Sequence, residues 1–268
     1  LMHIFTICRI REGSETMDME SILKEKVGNG FDGFRLEFQP QFRAGDGSLY
    51  GAEALARFSC RGYGVIPPDK FIPVMEKTGL IIPFGRWVFR KAAEQGKRWA
   101  EIHPGFQMSI NMSGYQFVDP GVTDYMESIL KEVGLPKENV ILEITETYDI
   151  SSSNEVLDAL GRIQTAGLKV AIDDFGTGSS GIMALKAHPF HMVKVARQFV
   201  PESGDGKNDP FLSAISLLAH SVGAEVCQEG IETEEQYETV RLAQVEVMQG
   251  YLLGKPVPAA EFERRYLK

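Results

Sequence analysis

The sequence predicts an α/β fold, a modified TIM-type (β/α)₈ barrel with one antiparallel strand. From residue 107 onward, short apolar runs alternate with helix-like stretches, the pattern of parallel strands joined by right-handed crossovers. Before that point, two strand-like runs are separated only by the turn Gly45-Asp46-Gly47, so we expect them to pair as an antiparallel hairpin. The length of 268 residues with 43% hydrophobic content suits one large core.

The predicted elements follow one another with short connections. Residues 1–30 are predicted to form an N-terminal linker and helix, and residues 31–268 the barrel. The first helix either carries a signal from an upstream domain or covers the bottom of the barrel, and the apolar spacing agrees with both. The strands are predicted at residues 34–39, 49–58, 107–111, 140–145, 169–173, 192–195, 225–229 and 245–249. The helices are predicted at residues 15–28, 69–78, 86–100, 122–132, 153–166, 210–222 and 234–242.

Composition restricts the classes of partner. The formal net charge is −9, which argues against binding to duplex nucleic acid, because such proteins carry a basic surface. A small anionic ligand is compatible with this charge if bound cations invert the local field. The sequence shows neither a signal peptide nor a run of roughly 18 apolar residues, so no membrane contact is expected. The three cysteines have no metal-ligand spacing, and a reducing cytoplasm is the predicted location.

Polar side chains recur at or near the carboxyl ends of the predicted strands. They are Glu53, Asn111, Glu143, Asp173, Asp174, Lys194 and Glu229. In a closed parallel barrel these positions meet on one rim, although Glu53 falls inside its own strand. Carboxylates with one amide and one lysine match a site for hard divalent cations and a phosphate ester.

Each of these residues also has an ordinary interpretation. A strand-end acid is commonly solvated, and an asparagine in that place is commonly a turn residue. Asp174 would serve equally as a helix N-cap, with Asp173 solvated. The joint pattern, rather than any single residue, therefore carries the prediction of a metal and phosphate site.

From about Phe34 to its end, the chain resembles the EAL-domain family of cyclic di-GMP phosphodiesterases. The namesake tripeptide is Glu53-Ala54-Leu55, and Arg57 follows it. The other matching stretches are Phe38-Gln39-Pro40, Ile110-Asn111-Met112-Ser113, residues 143–146, Asp173-Asp174-Phe175-Gly176-Thr177-Gly178, Lys194, Glu229-Gly230, Glu232-Thr233 and Gln249-Gly250-Tyr251. The family fold is a modified β/α barrel with one antiparallel strand, in agreement with the hairpin.

The resemblance implies a metal-dependent hydrolysis of cyclic di-GMP to the linear dinucleotide pGpG. It implies Mg²⁺ or Mn²⁺, two ions in each site, held by Glu53, Asn111, Glu143, Asp173 and Asp174. Glu229 is then the general base or the anchor of the attacking water. Lys194 would orient that water and offset charge that develops on the phosphate oxygens.

The resemblance also implies contacts around this centre. The expected substrate contacts are Gln39, Leu55, Arg57 and Gln249. Glu146 and Glu232 are expected to stabilise neighbouring loops, and a homodimer is expected. The sequence begins at Leu1, which is compatible with an upstream sensory or cyclase domain.

The chain departs from the family pattern at a few positions. Ala196 replaces the acid that usually follows the lysine by two residues, so one carboxylate near Lys194 is absent. Ser179 replaces an aromatic residue of the loop after Asp174, and Cys227-Gln228 replaces a small apolar pair. These departures motivate an alternative function, a catalytically weak or inactive receptor domain that binds cyclic di-GMP and signals to a partner.

Overall fold

The computed structural model describes residues 18–145, 154–178, 181–200 and 209–268. Its strands are β1 (Phe34–Arg43), β2 (Leu49–Cys60), β3 (Gly64–Ile66), β4 (Gln107–Asn111), β5 (Val140–Thr145), β6 (Lys169–Phe175), β7 (Met192–Val195), β8 (Glu225–Gln228) and β9 (Val247–Met248). Its helices are α1 (Met19–Gly28), α2 (Pro68–Thr78), α3 (Ile81–Ile102), α4 (Gly114–Phe117), α5 (Val122–Val133), α6 (Asn154–Thr165), α7 (Gly181–Ala187), α8 (Pro210–Ser221), α9 (Glu234–Leu242) and α10 (Ala259–Tyr266). None of these described helices is long and apolar enough to cross a membrane.

Eight of the strands close into a barrel. β1 pairs with both β2 and β9, and both pairings are antiparallel. The remaining barrel strands pair in parallel in the order β2-β4-β5-β6-β7-β8-β9. The predicted fold class, a modified (β/α)₈ barrel with one antiparallel strand, is confirmed. β3 is an additional three-residue strand that pairs antiparallel with the last three residues of β2, and it is too short to produce an apolar pattern in the sequence.

The hairpin of β1 and β2 forms where the turn chemistry predicts it. Gly47 has a φ of 69°, a left-handed conformation that favours glycine, and its N–H donates to the Arg43 carbonyl at 3.0 Å. The Asp46 side chain accepts from the N–H of Ser48 at 2.9 Å and holds the second half of the turn. Tyr50 lies at a register shift in this hairpin, where Gln41 pairs with Gly51 and Phe42 with Leu49.

Several element boundaries differ from the prediction; β1, β2 and β6, for example, extend beyond their predicted ends to Arg43, Cys60 and Phe175. The first helix does not run from residue 15, because Asp18 is extended (ψ 162°) and caps the helix by accepting from the N–H of Ser21; residues 15–17 lie outside the described ranges. α3 begins at Ile81 rather than at residue 86, because Pro83 lies in its first turn, where the missing N–H breaks no helical bond. β9 is only two residues long.

The interior of the barrel has two layers with different chemistry. A lower apolar layer is formed by Tyr50, Ile141, Ala171, Met192, Cys227 and Val247. Side chains two residues apart on a strand share a face, so each of five strands places a polar group above its apolar residue. The resulting pairs are Ile141 with Glu143, Ala171 with Asp173, Met192 with Lys194, Cys227 with Glu229, and Val247 with Gln249. The upper layer lies toward the carboxyl ends of the parallel strands.

α1 packs against α2 and buries Ile22 and Leu23. This contact accounts for the apolar face of the first helix. The division into a linker over residues 1–30 and a barrel over residues 31–268 stays a prediction.

Candidate active site at the carboxyl end of the barrel

Lys194 lies at the centre of four carboxylates and its side chain is completely buried. Its Nζ is 2.7 Å from Glu143 Oε2 and 2.8 Å from Glu229 Oε1. Asp173 Oδ1 follows at 3.1 Å and Glu53 Oε2 at 3.5 Å. Residues separated by up to 176 positions in the sequence therefore meet at one ammonium group.

The negative charge of this cluster exceeds its positive charge. Burial raises the pKa of Glu143 well above its ordinary value, and the nearby Glu53 and Asp173 add to the rise while Lys194 opposes it. Burial likewise raises the pKa of Asp173, and that of Glu229 to about 8. Burial acts to lower the pKa of Lys194, but the surrounding carboxylates outweigh it and raise this pKa well above the ordinary value. The lysine is charged at neutral pH, and the carboxylates compete for it.

Glu53 is held by two amide side chains as well as by the lysine. Asn111 Nδ2 donates to its Oε1 at 2.6 Å, and Gln249 Nε2 donates to its Oε2 at 2.7 Å. Burial alone would raise the pKa of Glu53, but Lys194 and these two amides hold it below its ordinary value. Glu53 is therefore an ionised carboxylate oriented from both sides.

Gln249 belongs to a short chain of buried amides. Its Nε2 also lies 3.2 Å from Gln39 Oε1, and Gln41 Nε2 donates to Gln249 Oε1 at 2.9 Å. The sequence analysis did not identify Gln41. Its position two residues after Gln39 on the same strand was the available signal, because side chains at that spacing share a face.

The residues of this cluster fit a divalent cation. Glu143 Oε1 is buried and has no hydrogen-bond partner in the part of the chain the structure describes, whereas the equally buried Asp173 Oδ1 has the Lys194 ammonium at 3.1 Å. A buried carboxylate oxygen without a hydrogen-bond partner destabilises the folded state, and coordination to a divalent cation that prefers oxygen ligands would offset this cost. Among the described residues, no three acidic, histidine or cysteine side chains converge as a ready chelate. The Lys194 ammonium supplies the central positive charge instead.

The segment after β6 places Asp174 at the mouth of the cluster. Asp173 is buried, so its interpretation as a solvated neighbour of an N-cap is wrong. Asp174 is exposed with a φ of 54°, and its carbonyl accepts from the N–H and the hydroxyl of Thr177. Glu146 and Ser179 lie outside the described residues.

Two cavities adjoin the cluster and share Glu53 and Leu55 in their walls. The smaller has a volume of about 300 Å³. Its lining residues are Gln39, Glu53, Leu55, Asp173, Asp174, Arg197, Glu229, Gly230, Glu232, Gln249, Gly250 and Tyr251. The larger, of about 570 Å³, has apolar walls that include Ile72, Ile81, Phe84, Val88 and Met112. The two cavities therefore adjoin each other at β2, and we refer to them together as the groove, with an acidic part in the smaller cavity and a largely apolar part in the larger one.

Arg57 and Gln39, both predicted substrate contacts, have polar partners within the fold. Arg57 Nε donates to Glu37 Oε2 at 2.9 Å, and its Nη1 donates to the Ala56 carbonyl at 3.1 Å. Gln39 Nε2 donates to the Gly254 carbonyl at 3.1 Å. Arg57 lines the larger cavity and Gln39 the smaller one.

The sequence analysis assigned no role to two further polar side chains near the cluster, although it noted Gln228 as part of a departure from the family pattern. Gln228 is completely buried, and its Nε2 donates to the carbonyls of Val195 at 3.2 Å and Glu229 at 2.9 Å. Arg197 forms an ion pair with Glu232, with Nη2 2.9 Å from Oε1. A glutamine inside an otherwise apolar strand was the signal for Gln228, whereas nothing in the sequence marks Arg197.

Comparison with known proteins gives the same family throughout. The EAL domain family model matches residues 23–256. The bifunctional diguanylate cyclase/cyclic di-GMP phosphodiesterase MucR of Pseudomonas aeruginosa is 35% identical over 84% of this chain and 33% of its own length. The oxygen sensor protein DosP of Escherichia coli is 34% identical over 92% of this chain and 31% of its own length. The chain thus spans about a third of these curated relatives.

Solved structures agree with the sequence relatives. The MucR phosphodiesterase in complex with cyclic di-GMP superposes with a TM-score of 0.81 at 32% identity, covering 90% of this chain and 99% of that chain. The EAL enzyme Bd1971, in a form bound to cAMP and cyclic di-GMP, gives a TM-score of 0.83 at 30% identity, covering 92% of this chain and 67% of that chain. The chain belongs to the EAL domain family.

Proposed function

We propose that this chain hydrolyses one phosphodiester bond of cyclic di-GMP and releases the linear dinucleotide pGpG. The observation that carries the proposal is the buried cluster of four carboxylates around Lys194, beside a groove with an acidic and an apolar part. MucR, a bifunctional diguanylate cyclase/cyclic di-GMP phosphodiesterase, and the cyclic di-GMP in the complex of its phosphodiesterase support the choice of substrate.

The proposed metal ligands are Glu53, Asn111, Glu143, Asp173 and Asp174. Bound Mg²⁺ or Mn²⁺ would supply Lewis-acid polarisation of the phosphate and lower the pKa of a nearby water. Glu143 Oε1, which is buried and without a hydrogen-bond partner among the described residues, supports this proposal, because a bound cation would satisfy it. Two ions in each site and the choice between the two metals are part of the proposal.

Glu229 is proposed as the general base. Its side chain is 20% exposed, more than those of Glu53, Glu143 and Asp173, and it lines the smaller cavity. A pKa of about 8 lies near neutral pH, the range in which a carboxylate accepts a proton from water most effectively. Lys194 holds the Glu229 carboxylate at 2.8 Å and thereby orients it.

The groove suggests how the dinucleotide would lie. The phosphate that is cleaved would occupy the smaller cavity, next to Glu229 and Asp173. A guanine base would occupy the larger cavity, whose walls are apolar and which includes Leu55 and Arg57. Gln39 and Gln249 line the smaller cavity and would contact the ligand there.

The second candidate function is a receptor that binds cyclic di-GMP with little or no turnover. Ala196 favours it, because this residue is 3% exposed, follows Lys194 by two positions and contributes no carboxylate. The groove and its amide side chains would still accept the ligand. The two functions differ only in the chemical step.

We also propose that the chain forms a homodimer in the cytoplasm. Ile182 and Met183, at the start of α7, are each 61% exposed, and Phe211 and Leu217 on α8 are 59% and 71% exposed. Exposed apolar side chains on neighbouring elements of the chain are typical of a surface that another protein covers. An upstream sensory or cyclase domain remains compatible with the share of the relatives that the chain spans.

One assay tests the proposed function and separates it from the alternative. The purified chain is incubated with cyclic di-GMP and Mg²⁺ or Mn²⁺, and both binding and linear product are followed, with EDTA as the control. We expect product that depends on the metal. Binding without product would favour the receptor function, and the absence of both would contradict the two together.

A further inference from the structure

The 3₁₀ turn Arg197–Phe199 follows β7 closely and is held by contacts at both of its ends. Gln228 Nε2 lies 3.4 Å from the Ala196 carbonyl at the start of the turn. Gly176 has a φ of 94°, and a Cβ on it would lie 2.5 Å from the Phe199 ring, so this ring packs directly on the backbone after Asp174 and Asp173. The turn is therefore fixed relative to the strands that carry the carboxylates.

Arg197 itself crosses the backbone of Gly230. A Cβ on Gly230 would lie 2.3 Å from Arg197 Cγ, so only glycine leaves room for the arginine stem at this point. Gly230 directly follows Glu229. The stem of Arg197 is thus packed next to the proposed base, while 70% of the side chain stays exposed.

Arg197 is also the one basic side chain in the described lining of the smaller cavity. Lys194 is completely buried beneath it, and Arg57 lines the other cavity with two of its donors already used. The remaining charged groups in this lining are acidic, and they include Asp174 and Glu232. An anionic ligand in the smaller cavity meets this single guanidinium at its edge.

We propose that Arg197 binds the phosphate of the dinucleotide that is not cleaved, and that it makes the site selective for ligands with two phosphodiester groups. This inference rests on the proposed function. Metal ions would offset the charge of the cleaved phosphate, whereas the other phosphate faces an acidic rim and needs its own cation. A guanidinium offers five donors in a planar fork that matches phosphate oxygens.

The ion pair with Glu232 is compatible with this role. Arg197 Nη2 lies 2.9 Å from Glu232 Oε1, and both side chains are exposed by 40% or more. Exposed pairs of this kind contribute little to stability, so a phosphate can share or replace Glu232 at low cost. Glu232 would then compete with the phosphate for Arg197.

The test compares two substrates and four variants. Cyclic di-GMP carries two phosphodiester groups, and bis(p-nitrophenyl) phosphate carries one. For Arg197→Ala we expect the Kd and KM for cyclic di-GMP to rise roughly 10- to 100-fold, the worth of a charge-assisted hydrogen bond. The kcat/KM for bis(p-nitrophenyl) phosphate should fall far less, so that the ratio between the two substrates drops. Arg197→Lys should restore part of the affinity.

Two controls separate phosphate binding from a structural role. Glu232→Gln removes the ion pair but keeps the guanidinium, and we expect it to bind cyclic di-GMP more tightly than the unmodified chain. Arg241→Ala removes a similar exposed arginine–glutamate pair on α9 and should behave like the unmodified chain. Circular dichroism of Arg197→Ala checks that the fold is kept.

The inference would be overturned if Arg197→Ala bound cyclic di-GMP as tightly as the unmodified chain does. It would also be overturned if kcat/KM fell by the same factor for cyclic di-GMP and for bis(p-nitrophenyl) phosphate. It would also fail if Glu232→Gln weakened binding as much as Arg197→Ala, because the arginine would then only support the loop. An unmodified chain that neither bound nor cleaved cyclic di-GMP would contradict the proposed function itself, and this inference with it.

Discussion

Replacing Glu229 with glutamine should abolish turnover and at the same time stabilise the metal-free protein. Glutamine has nearly the same shape but no charge, so it removes one of four carboxylates that compete for Lys194. A general base contributes about 10²- to 10⁴-fold to a rate, and kcat should fall by that factor. Binding of cyclic di-GMP should be largely kept, because the metal ligands and the amides around Glu53 are intact.

The gain in stability follows from the pKa of Glu229. A pKa raised from 4.5 to about 8 in the folded state corresponds to a cost of up to about 5 kcal/mol for the ionised form at high pH. Between about pH 4.5 and 8 the Glu229 carboxyl is protonated in the folded state but ionised in the unfolded state. The stability of the unmodified, metal-free protein therefore falls as pH rises through this range. Glu229→Gln lacks this loss. Neighbouring carboxylates can take up protons and so reduce this cost in the unmodified protein. We therefore expect Glu229→Gln to be more stable than the unmodified protein by about 1–3 kcal/mol at pH 8.5, or roughly 3–10 °C in Tm. At pH 4.5 we expect little difference between the two proteins.

The assay is thermal unfolding in EDTA between pH 4.5 and 9, with Glu132→Gln as the matched control. Glu132 is an exposed acid on α5 that pairs with Arg90, so its replacement should not produce a gain that grows with pH. If Glu229→Gln were no more stable than the unmodified protein at pH 8.5, the argument that excess charge destabilises the cluster would be refuted. Normal turnover in this variant would exclude Glu229 as the base.

Three further substitutions test other parts of the proposal. If the missing carboxylate at Ala196 limits the rate, Ala196→Asp should raise the hydrolysis of cyclic di-GMP, and an unchanged or lower rate would contradict that explanation. Glu143→Gln should weaken Mn²⁺ binding about 10-fold or more, since a carboxylate ligand is lost, and calorimetric titration with Mn²⁺ would show it; equal affinity would exclude Glu143 as a ligand. Met183→Glu, compared with Lys186→Glu on the same helix, should lower the dimer fraction in light scattering, and an unchanged mass would argue against this surface.

The sequence was sufficient for the barrel because its signals are local. Apolar runs that alternate with helical stretches, and a three-residue turn before residue 49, depend only on near neighbours. Short elements were missed for the same reason: α4 has four residues and β3 three, and neither gives a full period of apolar spacing. β9 was predicted too long because its pairing with β1 and β8 covers just Val247 and Met248.

The candidate site was predictable in its composition but not in its contacts. Motifs of the EAL family, together with acids at strand ends, identified the residues that now lie within 3.5 Å of Lys194. The order of these carboxylates by pKa could not be predicted from the sequence, because it depends on burial and on the distance of each carboxylate from Lys194. The contacts of Gln228 with the Val195 carbonyl and of Arg197 with the Gly230 backbone were not predicted, because these partners lie 33 residues away in the chain.

The sequence alone determined which strands carry a polar residue two positions after an apolar one, since a strand alternates its faces whatever surrounds it. That alternation is sufficient to predict an ionic layer above an apolar one. Only the tertiary structure decided that four carboxylates would surround a single ammonium group, that Glu143 Oε1 would find no hydrogen-bond partner among the described residues, and that the Arg197 stem would pack on Gly230. Those outcomes depend on closure of the barrel and on strand register, which bring together groups that no local pattern connects.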